Sequence, residues 1–391
     1  AQNILPPIYA SIAIAVSALF FIYLGQIDKF EVIGKFSVLS TIIFLFTHIF
    51  SFGNDQSILS TSVKDSKNNN LIIDKRISVP FLSFICVVIF SSLLFNLQLL
   101  DSYLSKYLNN FNNNKFFYIL LFSLTILFAN LSKTIASFFI ISRYVTIANT
   151  LYLFKSLGLL TGIIYYIFFQ NNFEIYIIFI MELVCLFSLL LFLIYFILIS
   201  RYEWLNSNFE SKYIIAGLNI FGFDSMLKQD LIILSFFQNP VLVAKYAVIS
   251  SVFEGISQTI TTLQQNYADV LRHKIFKSPD KINIKFKKIV FTASALSLFF
   301  IFAAPLFYFI VFGDINLEIL IICLILQFAL FIGSPAIVSY YTESIRGAPL
   351  NLFRKAIIII CSNTIISIIL YNYIGVFGVS IGTFLSFMML R

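Results

Sequence analysis

Seven ionisable side chains lie inside otherwise apolar stretches of this sequence, and their types suit the holding and release of charge rather than covalent chemistry. Lys133, Lys155 and Lys228 are cations; Asp224, Asp230, Glu254 and Glu182 are carboxylates. A charge among apolar residues is expensive, so it faces a partner, water or a ligand. Lys133 and Lys155 fall at similar distances from the ends of their stretches, and two cations at one level repel unless an anion joins them. A lysine ammonium binds phosphate as a point charge; the alternative is that either side chain snorkels or pairs with a carboxylate. Asp224 and Lys228 are four residues apart and share a helical face, which suits mutual neutralisation. Asp230 points roughly 200° around the helix from Lys228 and stays out of that pair. Glu254 falls where it can meet Lys228 or Asp230. Carboxylates in such surroundings can exchange a proton or lend oxygens to Na+, so Asp224, Asp230 and Glu254 are the candidates for a coupling ion. Glu182, Asn130, Asn149 and Tyr152 form a weaker set suited to lining a hydrated path, with interhelical hydrogen bonding as the competing role.

The same inventory argues against an enzyme. His48 and His273 are the only histidines, so neither an HExxH zinc signature nor a Ser-His-Asp arrangement is present, and no GxxxxGK[ST] nucleotide loop occurs. Cys86, Cys185, Cys323 and Cys361 each sit in an apolar stretch without a CxxC spacing. They are expected to be small buried hydrophobes, with no disulfide or metal site. No cofactor is expected.

The elements that carry these residues must be membrane helices. Hydrophobic residues make up 60% of the 391 and charged residues 11%, too little polar surface for an aqueous fold. Twelve apolar segments are predicted, at 4–24, 32–52, 77–100, 116–141, 145–169, 174–199, 213–237, 241–270, 289–312, 315–338, 353–372 and 375–390. Stretches such as Phe179 to Ile199 are apolar on every side, as a membrane helix is, whereas a barrel strand alternates. The first segment is too long and too like the others for a cleaved signal peptide. Pro305 and Pro335 predict kinks in the ninth and tenth segments.

Basic residues orient the chain. Of the 26 Lys and Arg, 18 fall in the even-to-odd connections and the C-terminus and only five on the opposite side. By the positive-inside rule both termini are cytoplasmic. The net charge of +8 is concentrated at 271–288, a juxtamembrane cluster suited to anionic lipid headgroups or substrate docking, not to nucleic acid.

An internal repeat divides the chain. Gly34-Lys35-Phe36-Ser37-Val38-Leu39-Ser40 and Ala244-Lys245-Tyr246-Ala247-Val248-Ile249-Ser250 share a pattern at an offset of 210 residues, each opening an even-numbered segment. Six segments separate them, so the repeat is parallel, with lobes 1–205 and 206–391. Such lobes are expected to enclose a cavity near the bilayer midplane.

Several stretches carry a family resemblance. Phe30-Glu31-Val32-Ile33-Gly34-Lys35-Phe36-Ser37, then Phe52-Gly53-Asn54-Asp55-Gln56-Ser57-Ile58, resembles the second-helix region of polysaccharide exporters. Gln229-Asp230-Leu231-Ile232-Ile233-Leu234 with Ala244-Lys245-Tyr246-Ala247 is similar to their seventh and eighth helices. Tyr373-Ile374-Gly375-Val376-Phe377-Gly378-Val379-Ser380-Ile381-Gly382-Thr383 resembles the Gly-rich start of their last helix. The family is the O-antigen (Wzx-type) flippases of the multidrug/oligosaccharidyl-lipid/polysaccharide exporter superfamily, the MATE-like transporters. The resemblance implies an all-α, two-lobed, 12-helix protein of a bacterial cytoplasmic (inner) membrane. It would move an undecaprenyl-diphosphate-linked oligosaccharide, an O-antigen or capsule repeat unit in lipopolysaccharide biosynthesis, to the periplasmic leaflet by alternating access coupled to H+ or Na+. A polysaccharide polymerase and a chain-length regulator would be partners. On this reading Lys133, Lys155 and Lys228 bind the diphosphate. The first segment departs from the family in lacking the ionisable residue that some relatives place there, so any cavity charge comes from elsewhere. The competing readings are a drug or metabolite exporter of the same superfamily, which would want an acidic cavity, and a membrane glycan polymerase or ligase, which would want a large external loop.

Overall fold

The computed structural model describes residues 5–59, 71–95, 103–108, 114–142, 144–148, 150–168, 176–199, 202–205, 226–275, 290–292, 294–295, 297–298, 301–346 and 349–389. Among the described residues, each predicted apolar segment contains helix. In order come α1 (Leu5–Gln26), α2 (Phe30–Ile49), the short α3 (Asn54–Leu59), β1 (Leu71–Asp74), α4 (Val79–Phe95), α5 (Lys115–Ile141), a single turn at Val145–Ala148, α6 (Thr150–Phe168), α7 (Tyr176–Ile199) and β2 (Tyr202–Leu205). Then follow α8 (Met226–Phe237), α9 (Pro240–Ile275), α10 (Ala303–Phe312), α11 (Leu317–Arg346), α12 (Pro349–Ile374) and α13 (Val376–Met389). Among the described residues seven helices are long and apolar enough to cross a membrane. The protein is an all-α polytopic membrane protein.

The residues fall into two compact units, 1–20 with 39–218 and 21–38 with 219–391. The tip of the α1–α2 hairpin thus belongs with the second unit. There Gly25 lies so close to Val311, and Gly34 to the Pro240 carbonyl, that a Cβ at either would collide with backbone. The hairpin turns through Asp28 at φ 56°. Lys29 N–H reaches the Leu24 carbonyl at 2.9 Å and Asp28 N–H reaches Gly25 at 3.0 Å, closing the carbonyls that a helix end leaves open. The repeat offset is visible in the helix starts: α2 opens at Phe30 and α9 at Pro240. Asn239 caps α9 by accepting from Leu242 N–H at 2.9 Å, with Pro240 in the first helical position. At 36 residues α9 is roughly 54 Å long, so it outruns the hydrocarbon core and continues into the start of the basic cluster. Residues 276–288 of that cluster lie outside the described residues.

Small residues set the tightest helix contacts. Gly158 of α6 packs on the Glu182 backbone of α7, and Gly162 on Ile178. In the second unit Gly378 and Gly382 of α13, one turn apart, rest against Leu370 and Ser367 of α12, a small-xxx-small contact of the kind that holds membrane helices together. Gly375, at φ 62°, is the whole turn between these two helices. We expect Gly382→Val to drive α13 off α12, because a Cβ there meets Ser367 Oγ at 2.1 Å and its backbone nitrogen at 2.9 Å. A fall in the thermal midpoint of the detergent-solubilised protein checks this, and an unchanged midpoint contradicts the contact.

Two sequence expectations are revised by the fold, those for Pro305 and for the cysteines, while Pro335 lies within a helix, the continuous α11, as expected. The carbonyl that it deprives of an N–H donor, that of Phe331, accepts instead from Ser334 Oγ at 3.0 Å. Pro305 does not interrupt a helix interior: a turn at Ile301 and Phe302 precedes it and it sits in the first turn of α10. Of the cysteines only Cys323 is buried; Cys86 and Cys185 are half-buried and Cys361 is exposed, because in lipid an apolar side chain gains nothing by turning inward.

The two short strands were not foreseen. They pair in parallel, Leu71 opposite Tyr202 and Asp74 opposite Leu205. β2 follows directly on α7, whose outward stripe Val184, Phe187, Leu191, Tyr195 and Leu198 runs on into exposed Tyr202 and Trp204. Aromatic side chains at a helix end favour the headgroup region. Trp204 is the only tryptophan, so in liposomes its fluorescence is expected to be quenched more by headgroup-depth than by mid-chain quenchers. Equal or weaker headgroup quenching contradicts this placement.

Candidate functional site

The second unit builds a polar cage around Asp230. α8 carries this carboxylate into a position with no solvent exposure. Its Oδ2 accepts from the Tyr246 hydroxyl of α9 and the Thr383 hydroxyl of α13, each at 2.6 Å, and its Oδ1 accepts from Asn363 Nδ2 of α12 at 3.4 Å. Asn363 is itself oriented: it donates to Gln229 Oε1 at 3.2 Å and accepts from Ser367 Oγ at 3.1 Å. Four helices therefore meet at one carboxylate. The close approach at Gly378 and Gly382 is what brings Thr383 within reach. A hydroxyl both donates and accepts, so Tyr246 and Thr383 can serve either protonation state of the acid by turning.

Lys228, on the same helix, takes a different partner. Its Nζ donates to Glu254 Oε2 of α9 at 2.7 Å, with both side chains mostly buried. The two residues assigned separately to phosphate and to ion coupling thus neutralise each other. The helical offset expected between Lys228 and Asp230 separates them as drawn: one faces Glu254, the other Tyr246 and Thr383. Asp224, the other partner considered for Lys228, lies outside the described residues.

In the first unit Lys133 of α5 is half-buried and its Nζ lies 3.4 Å from His48 Nε2 at the end of α2. The His48 ring also bonds the Phe44 carbonyl through Nδ1 at 2.9 Å. One turn of α5 further toward its start, Asn130 donates to Ser83 of α4 at 3.3 Å, while its Oδ1 is buried with no hydrogen-bond partner among the described residues. Glu182 is buried at the α6–α7 contact, with its backbone against Gly158. Lys155 and Tyr152 are carried by α6, but the placement of their side chains, like Asn149 altogether, lies outside what is described.

A buried ion pair sets the frame for Lys133. Asp74 ends β1 and Arg76 follows in a short 3-10 turn; both are essentially unexposed. Arg76 Nε donates to the Asp74 carboxylate at 3.0 and 2.8 Å, and Nη1 to Ser57 O at 2.7 Å and Ser57 Oγ at 2.8 Å. Asn54 Nδ2 then donates to the Arg76 carbonyl and to Thr134 Oγ1, each at 3.0 Å. Thr134 is the neighbour of Lys133, so the Gly53-Asn54-Asp55-Gln56-Ser57 turn ties the α2–α4 connection to the α5 turn that presents the lysine.

Sequence reasoning missed His48, Tyr246, Asn363 and Thr383 as site residues. Two of them carried a signal: Tyr246 lies in the internal repeat and Thr383 closes the Gly-rich motif. Under the 210-residue offset Asp230 corresponds to Phe20 and Tyr246 to Phe36, both buried. The acid and its phenol are thus features of the second half alone.

No protein-family model matches the chain, and no curated protein does either. Solved structures do match over its length. A chain described only as "protein A" superposes with a TM-score of 0.68 at 15% identity, covering 100% of this chain and 94% of that one. A MATE transporter in the straight conformation gives a TM-score of 0.57 at 12% identity, covering 98% and 93%. A MOP superfamily transporter from Pyrococcus furiosus, described as having a binding pocket of reversed polarity, gives 0.54 at 13% identity, covering 100% and 92%. At such identities the likeness is one of fold. The chain therefore has the fold of the MATE transporters of the MOP superfamily.

Proposed function

We propose that this protein is an ion-coupled flippase for a lipid-linked oligosaccharide whose diphosphate is held by the first unit and whose transport is driven through Asp230 in the second. The observation that carries the reading is Lys133, a half-buried cation in a membrane helix, whose Nζ lies 3.4 Å from the His48 imidazole. Intramembrane charges of this kind mark transported ions and substrates. Lys228 is paired with Glu254, so on this reading Lys133 of α5 and Lys155 of α6 are the residues assigned to the phosphate. A protein of this fold is described as having a binding pocket of reverse polarity that suggests a different function, while another is described as a multidrug resistance transporter, so the reading of a different substrate on this scaffold has a parallel. Asp230 supplies the coupling: a carboxylate enclosed by turnable hydroxyls can hold and release a proton as α8, α12 and α13 shift. The two units would alternate access to the two sides of the cytoplasmic membrane, with both termini inside.

The test is genetic. The double variant Lys133→Ala, Lys155→Ala should abolish surface glycan while the protein still reaches the membrane, and lipid-linked repeat units should accumulate on the cytoplasmic leaflet. Full surface glycan in that strain removes the substrate assignment. Drug tolerance conferred on a sensitive host, with glycan export unaffected, would favour the drug-exporter reading instead.

A further inference from the structure

We propose that Asp230 exchanges its proton with water through Tyr246, Cys323 and Tyr308, a buried path that ends at Asp314 and Glu318. This rests on the coupling role given to Asp230 above and names the route by which its proton leaves. Asp230 has no solvent exposure, so a proton that drives transport must cross protein to reach water. The first step is in place: the Tyr246 hydroxyl lies 2.6 Å from Asp230 Oδ2. Cys323 of α11 and Tyr308 of α10 are each 1% exposed, and neither belongs to the cage. Cys323 interacts electrostatically with both Tyr246 and Tyr308, and Tyr308 in turn with Asp314 and Glu318. Asp314, in the connection between α10 and α11, and Glu318, in the first turn of α11, are exposed.

The helix ends place these groups at one end of the second unit. The α1–α2 tip touches the start of α9 through Gly34 and Pro240, and the end of α10 through Gly25 and Val311, so those two ends are neighbours. α11 begins just past the end of α10, and α9 packs on both. Tyr246 and Cys323 lie six residues inside the starts of α9 (Pro240) and α11 (Leu317), and Tyr308 four residues before the end of α10 (Phe312). All three are therefore within roughly 6–9 Å of that end along the helix axes, the periplasmic one on the orientation read from the basic residues. The Tyr308 ring is held by Phe312, 4.5 Å away between centroids, and Phe312 by Phe30 of the hairpin at 4.9 Å. Hydroxyls and thiols both donate and accept. Each takes one proton on its oxygen or sulfur and gives up the one it held, so no group along the path keeps a charge. The net transfer is one proton from the Asp230 carboxyl to a carboxylate of Asp314 or Glu318, and from there to water. A gap longer than one hydrogen bond is crossed through a bridging water.

The path is tested by infrared hydrogen–deuterium exchange of the full chain in nanodiscs. The carboxyl band of protonated Asp230 is assigned by its loss in Asp230→Asn, and its shift after transfer to D2O is timed. Tyr308→Phe keeps the ring and removes the hydroxyl; Cys323→Val keeps an apolar side chain of similar size and removes the thiol. Neither residue hydrogen-bonds Asp230. Thermal melting of both variants confirms folding, and one folded variant suffices where the other melts early. We expect exchange to slow by about tenfold or more in either variant, as loss of a positioned proton-transfer group does. Cys323→Ser, which restores a proton-bearing group, should recover most of the wild-type rate, a response that a packing role does not give. Exchange at the wild-type rate in either folded variant overturns the path and leaves Asp230 as the coupling residue. Slow exchange in both, with transport that follows Na+ and ignores a proton gradient, keeps the path and removes proton coupling from the function. A carboxyl band that is unchanged in Asp230→Asn overturns both.

Discussion

Arg76→Leu is expected to destabilise the first unit by about 3–5 kcal/mol, the cost of leaving a buried charge without its partner. Asp74 is fully buried and its carboxylate is spanned by the Arg76 guanidinium. After truncation the carboxylate loses the guanidinium and keeps the backbone N–H of residue 76, now at 2.8 Å, and the Ser57 carbonyl loses the 2.7 Å bond from Nη1. Against a total stability of about 5–15 kcal/mol, the loss is a large fraction. Removing both charges is milder, because paired buried ions contribute little over apolar groups of similar volume. Asp74→Leu with Arg76→Met should therefore regain most of the loss. It would still lack the Asp74 cap on the 3-10 turn, worth about 1 kcal/mol. Thermal melting of the wild type, the single and the double variant in one detergent decides the matter. A single variant that melts with the wild type, or a double variant worse than the single, contradicts the pair as the lock of this unit.

Asp230→Asn should leave a folded protein that no longer uses an ion gradient. The asparagine oxygen can still accept from Tyr246 and Thr383, so the cage on that side is kept. Its amide group cannot exchange a proton, and it turns a donor toward Asn363 Nδ2, which now donates to Asp230 at 3.4 Å. The mismatch of one buried polar contact costs about 1–3 kcal/mol, tolerable for folding. Transport is affected far more, and in proteoliposomes the flux with an imposed gradient should fall to the flux without one. Tyr246→Phe, which writes the first half's Phe36 into the second half, retains the acid and should keep gradient dependence at a reduced rate. Gradient-driven flux at the wild-type rate in Asp230→Asn would remove the acid from the mechanism.

Several features were legible because they are one-dimensional. Helix positions follow from runs of apolar residues, since in lipid a helix closes its own backbone hydrogen bonds. The separation of Lys228 from Asp230 follows from helical pitch alone. The motifs quoted for the family resemblance proved to be junctions: Asn54 and Ser57 bind the Arg76 turn, and Asp230, Tyr246 and Thr383 converge. Their convergence was not legible, because Asp230 and Thr383 are 153 residues apart and nothing in either motif names the other. The same limit hid the parallel strand pair, whose members are joined only across four helices.

By itself the sequence determined the solvent of this protein and the helices that cross it, because both depend on local composition and on a backbone that must satisfy itself. It also determined which residues bear charge inside those helices. Only the tertiary structure decided what each charge faces: a carboxylate for Lys228, an imidazole for Lys133, two hydroxyls and an amide for Asp230. The physical reason is that hydrogen bonds and ion pairs form only at contact, within a few ångströms, and neighbours at that range come from helices far apart along the chain.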